Sequence, residues 1–350
     1  MAEFKEIYSQ TYTWQKIVQS FFKIFAMKNG NNHVTYYIRA FFKREIPKFL
    51  LSIMEKQLLK AFEKMDKVYV MDRVNYYNQL KGCNELPIEG SRQLSEHTYS
   101  NRRGNSTYFF DTYEYTRFFP NTFRWFDEPG DVNWLCNSPT VVKTRPLLVN
   151  DSKFTNSVIL NLDKVRHFFF INDPVPFKKK KKEVLFRGDV FGKPKRIDFL
   201  KRFINEPGFD VGDTSYKVDP VLEKNKMTKR EHLDYAYIMV LEGNDVATSL
   251  KWVMSSNSIA VMHKPTCESW FMEGRLIPNY HYIEIKDDFS DISERIAYYN
   301  EHEDEAMAII EHAHKWVEQF KDKKREDVIS YLVLKKYFQH TSFNGKVQLE

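Results

Sequence analysis

Three stretches of the chain combine residue types and spacings that suit chemistry on an anionic, sugar-bearing ligand. The first runs Phe186-Arg187-Gly188-Asp189-Val-Phe-Gly192-Lys193-Pro194-Lys195-Arg196. An apolar strand gives way to two glycines and then to a helix whose first turn is basic. A helix start offers free backbone N–H groups and partial positive charge, to which Lys193, Lys195 and Arg196 add full charges. Glycine lets the backbone approach a ligand closely. This suits a phosphate or diphosphate, although a plain solvated basic loop has the same composition. The stretch matches neither the Walker loop nor the GxGxxG pattern.

The second stretch is Tyr237-Ile-Met-Val-Leu-Glu-Gly243-Asn244-Asp245-Val246-Ala247-Thr-Ser249-Leu-Lys251-Trp252. Here too an apolar strand ends at glycine and a helix is expected to begin, with Asn244 or Asp245 as N-cap. The third, Glu268-Ser-Trp270-Phe271-Met-Glu273-Gly-Arg275 followed by Tyr280-His281-Tyr282, sets a carboxylate among rings, as a sugar or ribose requires. A hydrophobic core uses the same rings.

These stretches need a scaffold that brings strand ends together. From Val184 onward the pattern reads strand (184–186), helix (196–204), strand (236–241), helix (246–255), strand (258–262). Such alternation argues for a parallel sheet flanked by helices. Ligands in such sheets bind beyond the carboxyl ends of the strands. Between 66 and 150 the pattern suggests a second α/β segment, with strands at Val68–Met71 and Thr107–Phe110 and proline-rich loops after Asp127. Ser157–Leu162 and His167–Pro174 read as further strands. The five lysines Lys178–Lys182 repel one another and mark an exposed linker. The expected division is a basic helical region over 1–65, a first α/β domain over 66–182, a second over 183–320 and a helical tail over 321–350.

The region over 1–65 carries apolar residues at helical spacing, first Trp14, Ile17, Val18, Phe21, Phe22 and Phe25. After Asn29-Gly30 come Ile38, Phe41, Phe42 and Ile46, and, beyond Pro47, Leu50, Leu51, Met54, Leu58 and Leu59, with Lys and Arg between. Basic amphipathic helices fit an anionic membrane surface, and they equally fit simple packing against the protein body.

At 350 residues the chain is long enough for about two domains. With 53 Lys and Arg against 47 Asp and Glu, the small excess of +6 argues against nucleic acid as partner, and a basic nucleic-acid-binding protein stands as the alternative from another class. The three cysteines form no CxxC pair and no zinc-spaced cluster, which implies a reducing compartment and no structural metal. No signal-like or bilayer-length apolar run is visible, so a cytoplasmic protein is expected.

Taken in order, Phe186-Arg187-Gly188 with Arg196, then Glu242-Gly243-Asn-Asp-Val-Ala-Thr-Ser-Leu-Lys-Trp252, then Trp270-Phe271 and Leu276-Ile-Pro-Asn-Tyr-His-Tyr resemble glycosyltransferase family 90. Asn161-Leu-Asp-Lys-Val-Arg-His167 and Val142-Lys-Thr-Arg-Pro146 resemble its bacterial lipopolysaccharide branch. The resemblance implies an α/β fold of GT-B type, two Rossmann-like domains facing across a cleft. It also implies metal-independent, inverting transfer from a UDP-sugar to a lipid-linked or oligosaccharide acceptor, the UDP-sugar serving as co-substrate with no other cofactor. Lipopolysaccharide core is the leading acceptor; capsule sugar or protein hydroxyl are the alternatives. Arg187, Gly188, Asp189, Lys193, Arg196, Gly243, Asn244, Asp245, Val246, Ala247, Ser249 and Lys251 would line the nucleotide, and Glu268 the donor sugar or ribose. Ser249 stands where the protein-modifying branch has an arginine, so a lysine would have to supply that charge. Inverting transfer needs a carboxylate base. Asp131, in Pro129-Gly-Asp-Val, is the preferred candidate, and Asp127, in Asp127-Glu-Pro129, the second.

Overall fold

The computed structural model describes residues 33–147 and 155–350. The expected helix around Trp14–Phe25 lies outside them. The chain divides into two compact units at Ile46/Pro47. In the first, the helix His33–Arg44 ends on Lys43 and Arg44, with Val34, Ile38, Phe41 and Phe42 exposed. In the second, Pro47 opens the helix Lys48–Phe62, as proline at a helix start permits. That helix buries Leu51 and Ala61 and exposes Phe49 and Ile53. Its Glu55 accepts the Tyr331 hydroxyl.

The second unit is mixed α/β. Its strands are β1 (Asn84–Glu85), β2 (Arg92–Gln93), β3 (Arg124–Glu128), β4 (Thr140–Val142), β5 (Thr144–Pro146), β6 (Ser157–Ile159), β7 (Lys181–Gly188), β8 (Phe209–Asp213), β9 (Tyr235–Met239), β10 (Ile259–Met262), β11 (Cys267–Ser269), β12 (Ile283–Glu284), β13 (Thr341–Phe343) and β14 (Lys346–Val347). One sheet has the order β2-β3-β4-β6, with β3, β4 and β6 parallel. The larger sheet has the order β12-β10-β9-β7-β8 and is parallel throughout. The short strand β5 pairs antiparallel with β11, just past the larger sheet. A third small sheet, β1-β13-β14, ties the C-terminal end to Asn84–Glu85.

The larger sheet is apolar on both faces, as a sheet covered on both sides must be. On β9, Ile238 joins the core that includes Trp125, Val141 and Val158. Its neighbours Tyr237 and Met239 point into a second core with Val184, Phe199 and Val261. The helices Ile292–Glu301, Glu303–Glu318 and Lys323–Gln339 follow, as expected from about Ser290, but the expected helical tail ends at Gln339 and the chain goes on into β13 and β14. No helix of the described residues is long and apolar enough to cross a membrane.

Four local expectations are corrected. Val68–Met71 lies in the helix Lys67–Tyr77, where Val70, Arg73, Val74 and Tyr77 are buried at helical spacing and Asp66 caps the start by accepting from the Tyr69 N–H. Thr107–Phe110 lies in the helix Ser106–Thr116, with Tyr108, Asp111, Thr112 and Tyr115 buried. In both, burial of one helical stripe overrides the strand preference of aromatic and β-branched residues. His167 ends a single helical turn, and the phenylalanines after it pack irregularly on the first core. The lysine run is exposed at Lys178, Lys179 and Lys181 as expected, but it is no free linker: Lys181 already belongs to β7, and Lys180 is buried, its ammonium 2.8 Å from Asp173.

The last helix is fixed to the body by a buried ion pair. Arg73 meets Glu326 at 2.5 and 2.9 Å, and the Trp270 indole N–H donates to the same carboxylate at 2.6 Å. Leaving Arg73 charged and unpartnered in the interior is expected to cost about 3–5 kcal/mol. Glu326→Ala should lower the urea-unfolding free energy by about that much, whereas Lys315→Ala on the exposed face of its helix should change it by less than about 1 kcal/mol.

Candidate active site

The order of the larger sheet determines where a ligand can sit. The chain leaves β7 toward β8 on one side and returns as β9 on the other, so the order reverses between β7 and β9. The crevice beyond the carboxyl ends at such a switch point is where parallel α/β sheets take ligands. The first two sequence stretches are the loops that leave β7 and β9, and they meet there.

After Gly188 the backbone turns through Asp189, whose carboxylate accepts the Phe191 N–H at 2.8 Å. It passes Gly192 at φ +68°, a left-handed conformation suited to glycine, and enters the helix Pro194–Phe203. Arg196, in the first turn, joins the two loops. Its guanidinium donates to the Asp189 carbonyl at 2.8 Å and, across the switch point, to the carbonyls of Leu241 at 2.7 Å and Glu242 at 3.1 Å. Gly243 lies against this cation. A side chain there would begin 3.3 Å from Arg196 Nη2 and 3.4 Å from Lys193 Cε. Glycine thus leaves the two basic groups uncovered. The guanidinium makes three hydrogen bonds and keeps donors to spare.

The loop after β3 reaches the same corner. Asn133 donates to the Asn244 carbonyl at 2.9 Å, and Asn244 donates to Asp131 at 3.2 Å. Lys143, between β4 and β5, lies between two carboxylates, 2.6 Å from Asp131 and 2.8 Å from Asp245. Thr144 donates to Asp245 at 2.8 Å. The Lys143 side chain is 2% exposed, Asp245 5% and Asp131 32%. Burial works against ionisation of Asp131, but the Lys143 hydrogen bond and charge outweigh it and hold this carboxyl below its ordinary range. Burial prevails at Asp245 and raises its pKa, although Lys143 opposes the shift. Lys143 itself is held above its ordinary value because its carboxylates outweigh its own burial.

Other residues of the expected site lie elsewhere. Arg187 turns along the sheet to Asp210 on β8, 2.6 Å away, and donates to the Asp210 carbonyl at 2.8 Å; Lys224 and Tyr235 share that carboxylate. Lys251 is fully buried against Glu273 at 2.6 Å and has no face toward the loops. Glu268 is inside the packed interior, held by Arg145 at 2.7 Å and by the Tyr76 hydroxyl, where it braces β11 against β5. Val246 and Ala247 are buried outside any helix, and neither Asn244 nor Asp245 is the expected N-cap: Ser249 holds that position before a helix of only five residues, Leu250–Met254. Asp127 is buried in the fork of Arg92, at 3.0 and 2.5 Å, with Arg103 3.6 Å away. Burial nonetheless raises its pKa.

Sequence reasoning passed over Lys143 as a working residue, naming it only within a motif. A lone lysine in the apolar run Thr140-Val-Val-Lys-Thr was the available signal, because a charge in such a run must be paired. Nothing in the sequence marked Arg92 as the partner of Asp127, or Arg166 as a half-exposed cation whose charge also acts on Asp131. Among the described residues no three His, Cys, Asp or Glu side chains gather as metal ligands would.

The parallel α/β sheet thus sets a cationic switch point beside a carboxylate from the loop after β3. The sequence model described as glycosyl transferase family 90 matches residues 160–349. The O-glucosyltransferase LpsA of Dichelobacter nodosus is 37% identical over 284 residues, covering 80% of this chain and 87% of that protein. The chain belongs to glycosyltransferase family 90 and is a glycosyltransferase.

The fork that holds Asp127 also fixes a neutral histidine. Arg92 can only donate, so His97 Nδ1 accepts from it at 2.9 Å, and Nε2 carries the proton toward Thr112 at 2.8 Å. Burial, assisted by the Arg92 charge, pushes the His97 pKa down to about 3. Between pH 6.5 and about 3 the unfolded chain therefore binds a proton here that the folded chain does not, and stability falls with pH by about 1.4 kcal/mol per unit from this group. His97→Gln should lower stability at pH 7 yet flatten the acid-side loss by that slope in unfolding curves taken from pH 6.5 to 4. An unchanged slope would reject the assignment.

Proposed function

We propose that this enzyme transfers a sugar from a UDP-sugar to a hydroxyl of a lipopolysaccharide-core or similar glycan acceptor, with inversion and without a metal. The observation that carries the reading is the Arg196 bridge between the β7 and β9 loops, with Lys193 and Gly243 beside it and Asp131 opposite. The two sheets, linked through β5 and β11, support a GT-B arrangement with the donor on the larger sheet and the acceptor on the β2-β3-β4-β6 side. The relative's O-glucosyltransferase name favours a glucosyl donor.

On this reading the diphosphate lies over Gly243 and is neutralised by Lys193, Arg196 and the start of the Pro194–Phe203 helix. Asp131 takes the proton of the acceptor hydroxyl as its oxygen forms the bond to the anomeric carbon. The bond from that carbon to the diphosphate oxygen breaks, and its electron pair leaves with UDP. Cations fixed in place before reaction stabilise the leaving group without reorganising. Asp131 is preferred over Asp127 because it is half-exposed and hydrogen-bonded to Asn244, next to Gly243. Asp127 has both oxygens in an arginine fork.

UDP and UDP-glucose should raise the melting temperature of the wild type, and Arg196→Ala should abolish most of that rise. Asp131→Asn should keep UDP affinity while transfer falls by about 10²–10⁴-fold. Turnover unchanged in Asp131→Asn but lost in Asp127→Asn would move the base to Asp127.

The same reading places the enzyme at the cytoplasmic face of an anionic membrane, where its lipid-linked acceptor would be. Phe49 and Ile53 are exposed on the helix that carries Lys48, Lys56 and Lys60, and Phe41 and Phe42 on the helix ending in Lys43 and Arg44. Sedimentation with phosphatidylglycerol vesicles should exceed that with phosphatidylcholine, weaken as salt rises and drop with Phe49→Ser/Ile53→Ser. Equal sedimentation with both lipids would reject the membrane contact.

A further inference from the structure

Lys143 is an ammonium withdrawn from solvent, part of neither loop of the switch point, yet bonded to Asp245 within the β9 loop and to Asp131 on the loop that meets it. Asp131 follows β3, Asp245 follows β9, and Lys143 lies between β4 and β5. The three parts of the chain meet at this nitrogen, at Thr144, which is bonded to Asp245 and to the Val132 carbonyl, and at the neighbouring Asn133–Asn244–Asp131 hydrogen bonds. Two carboxylates this close, one of them buried, cannot both remain charged without a cation between them. An incoming diphosphate adds negative charge at the same corner.

We propose that Lys143 is the positioning residue of the transfer reaction, holding Asp131 ionised and aimed at the donor loop while neutralising Asp245 beneath it. The inference rests on Asp131 as the base. Lys143 makes no contact with either substrate: at 2% exposure its ammonium is spent on the two carboxylates. Its action is on the charge and direction of Asp131. The other groups whose charges bear on Lys143 or Asp131 are the Tyr108 hydroxyl, Arg166 and His167. Burial holds Tyr108 and His167 neutral near pH 7. Asp131 and Asp245 therefore remain the two groups whose protonation a change at Lys143 would move.

The test measures the pH dependence of kcat and the affinity for UDP in four variants. Lys143→Met should move the acid limb of kcat upward by about one to three pH units, as expected on removing an opposite charge in contact. UDP affinity should stay within about twofold of wild type. Asp245→Asn should leave the acid limb at or below the wild-type position, because the ammonium then serves Asp131 alone. Adding Asp245→Asn to Lys143→Met should return the limb toward wild type, which mere loss of packing would not do. If Lys143→Met fails to fold, the direction of the Asp245→Asn limb decides: an upward shift overturns the proposal. An unmoved limb in Lys143→Met, with Asp131→Asn inactive, overturns the role of Lys143 and leaves the base in place. Wild-type turnover in Asp131→Asn overturns both.

Discussion

The candidate site depends on one guanidinium bonded to three backbone carbonyls. Arg196 reaches from the first turn of its helix to Asp189 behind it and to Leu241 and Glu242 on the far side of the switch point. Two loops distant in sequence become one surface through it. Backbone carbonyls are fixed acceptors, so the cation they hold is fixed as well, and a fixed cation is worth more to a departing anion than one on a free side chain. Gly243 complements it by putting no side chain against Arg196 and Lys193.

A second cation organises the opposite wall. Lys143 is buried, shared by Asp131 and Asp245, and its loss would leave two carboxylates facing each other. The two cations differ in what remains available to a ligand. Arg196 is half-exposed and keeps donors, whereas Lys143 is enclosed and acts only through its partners. Other buried pairs, Arg73 with Glu326, Arg145 with Glu268 and Lys251 with Glu273, hold elements together away from the loops. Burial and satisfaction of partners thus separate bracing charges from those facing the crevice, a distinction that residue type alone does not make.

The strand–loop–helix rhythm after residue 180 was legible because buried parallel strands are continuous apolar runs and their loops carry glycine. Val184–Phe186, Ala236–Leu241 and Ser258–Met262 fall on β7, β9 and β10 within a few residues. The earlier region was harder to read. Val68-Tyr-Val-Met and Thr107-Tyr-Phe-Phe carry residues that favour strands, yet both lie in helices, because their partners at three- and four-residue steps face the core. The lysine run misled in part: Lys178, Lys179 and Lys181 are exposed as mutual repulsion argued, but Asp173 takes up Lys180 and the backbone enters a sheet instead of a linker.

The sequence by itself determined the chemistry on offer: a basic helix start, two glycine corners, two nearby aspartates and a family resemblance in their order. It could not determine which charges remain for a ligand. Lys251, Glu268 and Arg187 are of the right type in the right motifs, but each is neutralised by a partner distant in sequence or on a neighbouring strand, Glu273, Arg145 and Asp210. Lys143 and Asn244 gained their places beside Asp131 in the same way. A charge interacts with what is near it in space, at ångström range and in a low dielectric. Neighbourhood of that kind comes into being only when the sheets pack.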